Sequence, residues 1–98
     1  LAAGVPVATA ADAKANWDEH CAKCHGQTGK GDTKIGQRLK VKDYSDPKVQ
    51  AALKDDEMIE ATLKGVKGGG KEKRMGFGDT LSPEDATALV GLIRSFKS

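Results

Sequence analysis

Cys21-Ala22-Lys23-Cys24-His25, followed at once by Gly26, holds both cysteines of the chain and one of its two histidines. Two residues between the thiols let both sulfurs meet one edge of a planar ligand. The adjacent imidazole then reaches the centre of that ligand without a separate chain reversal. This is the pattern by which haem is held covalently, with two thioethers to its vinyl groups and a histidine to its iron. A C-x-x-C dithiol belongs near a βαβ pattern, which is missing here, and a structural zinc needs a fourth ligand beyond Cys21, Cys24 and His25. His20 could be offered for that place. It adjoins Cys21, about 100° around the same helix, and reads instead as an exposed structural histidine. The motif therefore predicts one covalent haem c, with its iron, per chain.

Working outward, 98 residues suit one domain, and only 38% of them are hydrophobic and 4% aromatic. A chain of this size buries roughly 60–65% of its unfolded surface, so Trp17, Tyr44, Phe77 and Phe96 need a supplement. A macrocycle that several helices can bury against supplies it. The net charge of +2 is too mild for a nucleic-acid protein, which would carry a concentrated basic stripe. No apolar run approaches the ~20 residues needed to cross a bilayer. Residues 1–10 are small and apolar and end in Ala8-Thr9-Ala10, which has the form of a processing site. They are read as a flexible extension or processing remnant, with the folded domain over 11–98.

Asp12 is expected to cap a first helix that carries Trp17 and Cys21 on one face and stops at Gly26. The glycines and lysines from Gly26 to Asp43 predict a long loop that wraps a ligand. Asp46-Pro47 starts a short helix to Leu53. Asp55 or Asp56 starts another, with Ile59, Leu63 and Val66 on a common face, halted by Gly65 and Gly68-Gly69-Gly70. Ser82, Pro83 and Asp85 announce a last helix with a stripe of Leu89, Leu92, Ile93 and Phe96. The expectation is an all-α fold of three to five helices with long loops.

The second axial ligand decides the chemistry, since Met or His closes the site for electron transfer and an open position admits small molecules. Met58 sits in a helical pattern and reads as core filler. Met75 lies in a glycine-rich loop and is the preferred ligand, so the metal donors are His25 and Met75. A thioether favours ferrous iron and raises the potential.

The motif, Met75 some fifty residues on, and the closing Leu89-Val90-Gly91-Leu92-Ile93-Arg94-Ser95-Phe96 helix resemble the class I cytochromes c over nearly the whole chain. Gly29-Lys30-Gly31-Asp32, Asp43-Tyr44-Ser45 and Met75-Gly76-Phe77-Gly78 look most like the small bacterial c-551 and c6-like members. The resemblance implies a cytochrome c fold in which the first and last helices cross, placing Ala13 and Trp17 against Leu89 and Leu92. It also implies haem attachment outside the cytoplasm, hence export to the bacterial periplasm, while the raised potential of His/Met ligation suits an acceptor in a respiratory chain. Two family features are missing. No proline follows the motif before Lys42, so a loop carbonyl near Ile35 would have to orient His25. Gly76 rather than proline follows Met75, which predicts a less rigid ligand loop.

The functional expectation is a monomeric, non-enzymatic carrier that moves one electron at a time between redox proteins. Lys67, Lys71, Lys73 and Arg74 would steer an acidic patch on the partner. Gln37, Arg38 and Tyr44 are the candidate donors to the haem propionates. The competing readings are a haem sensor or enzyme with a labile sixth ligand, and the cytochrome domain of a larger oxidoreductase.

Overall fold

Helix α1 (Ala10–His20) begins earlier than the sequence indicates, because Thr9 and not Asp12 is its cap. The Thr9 hydroxyl accepts the Asp12 amide at 3.1 Å and the Asp12 carboxylate accepts the Thr9 amide at 3.1 Å. Asp12 is thus the third-position partner of a reciprocal box that satisfies two otherwise orphaned donors. Thr9 and Ala10 belong to this capped start. The computed structural model describes residues 9–66 and 74–98. Among them, the helix breaks at Cys21 and resumes as the single-turn α2 (Ala22–His25), ended by Gly26 at φ 83°.

The expected open loop from Gly26 to Asp43 contains a helix, α3 (Lys34–Leu39). Thr33 caps it by accepting the Gly36 amide at 2.8 Å, and Lys40, at φ 57°, closes it. Helix α4 (Pro47–Ala52) starts at Asp46-Pro47 as the sequence indicates, and α5 (Asp55–Lys64) ends at Gly65, φ 84°. Three acidic residues, Asp55, Asp56 and Glu57, open α5, where the helix dipole favours negative charge. Val66 leaves the helix for a two-residue antiparallel ladder, β1 (Gly65–Val66) against β2 (Arg74–Met75), in which Gly65 faces Met75. Helix α6 (Pro83–Ser95) carries the expected Ser82/Asp85 capping box. Among the described residues there are six helices, α2 being a single turn, and the class is all-α as expected.

Helix α1 crosses α6, and α5 packs on α6 from another side. Trp17 and Leu89, each 1% exposed, are the largest fully buried side chains. Around them gather Met58, Leu81, Val90 and Ile93, with Leu92 and Phe96 half-buried against the cluster. Burying each such side chain stabilises the fold by roughly 1.5–3 kcal/mol. Met58 is core, as its helical setting implies. Among the described residues no helix is long and apolar enough to cross a membrane.

A polar clamp fixes the end of α6. The buried Gln50 amide (4% exposed) donates to the carbonyls of Tyr44 at 2.6 Å and Ile93 at 2.8 Å. Arg94 donates to the Gln50 and Leu53 carbonyls at 2.6 and 2.8 Å and pairs with Asp55 at 2.8 Å. One guanidinium thus caps two carbonyls at the C-terminal end of α4 and links α4, α5 and α6.

Candidate haem-attachment site

Cys21 caps a single helical turn and Cys24 lies within it, and neither is in a disulfide. The turn is closed by the Cys24 and His25 amides, both donating to the Cys21 carbonyl at 3.2 and 3.0 Å. The Ala22, Cys24 and His25 carbonyls are occupied as well. The Gly26 amide reaches Ala22 O at 2.8 Å, Thr33 Oγ1 reaches Cys24 O at 2.7 Å, and the Gly31 amide reaches His25 O at 2.8 Å. The buried Trp17 Nε1 donates to Gly26 O at 2.9 Å. A group bonded to these side chains is therefore held by a segment whose own backbone is tied on both sides.

Glycines allow the surrounding chain to come this close. A Cβ on Gly36 would run into the Cys24 carbonyl, and one on Gly29 would lie 2.6 Å from the Phe96 ring. Helix α3 accordingly presses against the motif, and Phe96 at the end of α6 against the loop that follows it. The His25 imidazole stacks on Tyr44, with centroids 5.0 Å apart and planes 20° apart, and lies 5.7 Å from the Trp17 ring. The Tyr44 ring is edge-on to Trp17 at 6.3 Å.

Burial, reinforced by the neighbouring Cys24, pushes the Cys21 thiol up to about 11. A reactive dithiol needs the opposite, a thiolate stabilised by nearby positive charge. Among the described residues no three or more His, Cys, Asp or Glu side chains converge as a metal cluster would require. Two half-buried thiols beside one imidazole are a donor set that fits a covalently held haem.

Of the other residues singled out from sequence, Tyr44 reaches this site, whereas Gln37 and Arg38 lie on the exposed side of α3. Ile35 falls inside α3, so its carbonyl belongs to that helix. His20 departs from expectation: its side chain is only 16% exposed, and its ring packs 5.1 Å from Phe77. Met75 is described by its backbone, on β2. Lys67, Lys71 and Lys73 lie outside the described residues. Thr33, Gly36 and Gln50 were not foreseen. Thr33 preceding a short helix was the one legible signal, as a candidate cap.

A helical domain folded around a C-x-x-C-H turn defines a covalent haem protein. The Cytochrome c family profile matches residues 10–97, and the chain belongs to the cytochrome c family. It therefore has the cytochrome c fold, binds covalent haem c and serves haem-based electron transfer in the general sense of that family. The chain is similar to the solved structure of the KustC0563 c-type cytochrome, with TM-score 0.76 and 32% identity over 88% of this chain and 98% of that one. A point mutant of that protein gives TM-score 0.74 and 34% identity over 88% and 99% of the respective chains. No curated protein matches the sequence significantly.

Proposed function

We propose that this protein is a one-electron carrier and not an enzyme, with haem joined to Cys21 and Cys24 and its iron ligated by His25 and Met75. Bound haem supplies a ferric/ferrous couple, and the protein supplies a setting that changes little when the charge changes. The observation that carries this reading is the tied backbone of residues 21–26, in which Trp17, Thr33 and Gly31 fix the carbonyls of the segment bearing His25. A fixed imidazole keeps the reorganisation on electron transfer small. Tyr44, stacked on His25, adds to that rigidity and is the best-supported of the propionate donors, with Gln37 and Arg38 contributing from the outer side of α3. Thioether ligation from Met75 raises the potential and suits a carrier that accepts electrons.

Haem is joined to this motif outside the cytoplasm, so the working compartment is the bacterial periplasm and the role is in a respiratory chain. The protein acts as an exported, diffusible monomer. The cationic residues Lys67, Lys71, Lys73 and Arg74 steer it to an acidic patch on its redox partners. Carbon monoxide tests the closed sixth position. The reduced holoprotein is expected to keep its spectrum under carbon monoxide and to exchange electrons with small mediators in both directions. A prompt carbon monoxide shift would favour a sensor or enzyme.

A further inference from the structure

Residues 76–78 rest on the C-terminal end of α5. The Phe77 amide donates to the Thr62 carbonyl at 2.8 Å and the Gly78 amide to the Leu63 carbonyl at 2.9 Å. These acceptors are among the last carbonyls of α5, which have no partner within the helix. Just before them, Met75 pairs with Gly65 across the ladder. Just after them, the Thr80 and Leu81 amides turn back onto the Phe77 carbonyl at 2.9 and 2.7 Å. The chain can lie this flat because positions 76 and 78 lack side chains. A Cβ on Gly76 would fall on the Leu63 carbonyl and 2.7 Å from the Gly65 nitrogen, and one on Gly78 would lie 2.8 Å from the Leu63 carbonyl. The obstructing atoms are backbone, so they cannot rotate away.

We infer that Gly76 is the positioning residue for the sixth ligand: by seating the ligand loop on the α5 carbonyls it holds Met75 in place without a following proline. The hold that a following proline would give is supplied instead by hydrogen bonds to a helix end. A side chain at position 76 must lift the loop, and the lift passes directly to Met75, its neighbour in the chain and the ladder partner of Gly65. The inference rests on the proposed ligation by Met75.

The test is imidazole binding to the ferric holoprotein of wild type, Gly76→Ala and Gly91→Ala, followed through the far-red methionine-to-iron band. Imidazole competes with Met75, so its apparent affinity rises in proportion to the loss of the closed state. Gly76→Ala is expected to bind imidazole about tenfold more tightly or better, with a weakened band. Gly91→Ala, where a Cβ meets nothing within 4 Å, is expected to match wild type. An intact wild-type band with unaltered imidazole affinity in Gly76→Ala overturns the inference alone. A wild-type protein without the band overturns the Met75 ligation as well. Should Gly76→Ala fail to incorporate haem, hydrogen exchange of the wild type decides. Phe77 and Gly78 amides protected like those of α5 support the seat, and exchange at open-loop rates overturns it.

Discussion

The indole N–H of Trp17 donates to the carbonyl of Gly26 at 2.9 Å, joining the middle of α1 to the residue that ends the C-x-x-C-H turn. The bond is buried, and removing its donor leaves the carbonyl only the longer bond from the Gly29 amide at 3.3 Å. Trp17→Phe is expected to destabilise the holoprotein by about 1–3 kcal/mol in denaturant unfolding. A loss below about 0.5 kcal/mol, within the range of ordinary surface substitutions, would remove this bond from the account.

Gly36 seats α3 against the motif. A Cβ there meets the Cys24 carbonyl, and also Thr33 Oγ1 at 2.8 Å and the Gly31 carbonyl at 2.9 Å. Gly36→Ala is expected to cost about 1–3 kcal/mol through overpacking. Gly91→Ala, on the open face of α6, should instead stabilise the protein by about 0.5–1 kcal/mol through helix propensity. Thermal unfolding of the two variants should therefore shift in opposite directions, and shifts of the same sign would contradict the packing described.

Arg94 satisfies carbonyls at the end of α4 through the same guanidinium that pairs with Asp55. Arg94→Leu takes the guanidinium donor from the Leu53 carbonyl and leaves the Gln50 carbonyl only the Leu53 amide at 3.2 Å, and is expected to cost about 1–3 kcal/mol. Asp55→Asn, which weakens only an exposed ion pair, should cost less than about 1 kcal/mol. Equal losses would mean that the ion pair, not the carbonyl capping, carries the contribution.

The Asp12 carboxyl is held below the usual carboxylate range, first by the Thr9 amide and then by the Thr9 hydroxyl. A depressed native value means stability that is present above the unfolded value of about 3.9 and lost as pH falls through the native one. The gap in stability between wild type and Asp12→Asn should be full near about pH 7 and shrink near about pH 2. A gap that does not change with pH would rule out the charged capping box.

The last helix was legible because Ser82, Pro83 and Asp85 are all local signals, and α4 because Asp46-Pro47 is another. The start of α1 was misplaced since Thr9 and Asp12 both suit a cap, and only the geometry tells which one accepts first. Helix α3 was hidden by its composition: Gly36 weakens helix propensity, yet it is the residue that allows α3 to approach Cys24. The Gly65–Met75 ladder is too short to show any alternation. The motif itself was plain in the sequence, because two thiols and an imidazole at fixed spacing are local. The bonds that hold it, from Trp17, Thr33 and Gly31, depend on chain reversals that no local pattern encodes. The bonds from the Phe77 and Gly78 amides to the α5 carbonyls are equally non-local, so the residue type at position 76 does not reveal them.

The most direct test of the central claim is the optical spectrum of the purified holoprotein, oxidised and then reduced, with haem retention checked after denaturation. The account predicts c-type bands, haem that stays with the polypeptide through Cys21 and Cys24, and a far-red methionine-to-iron band in the oxidised form that disappears in Met75→Ala. Haem that washes out on denaturation, or a wild-type spectrum without the methionine band, would contradict it.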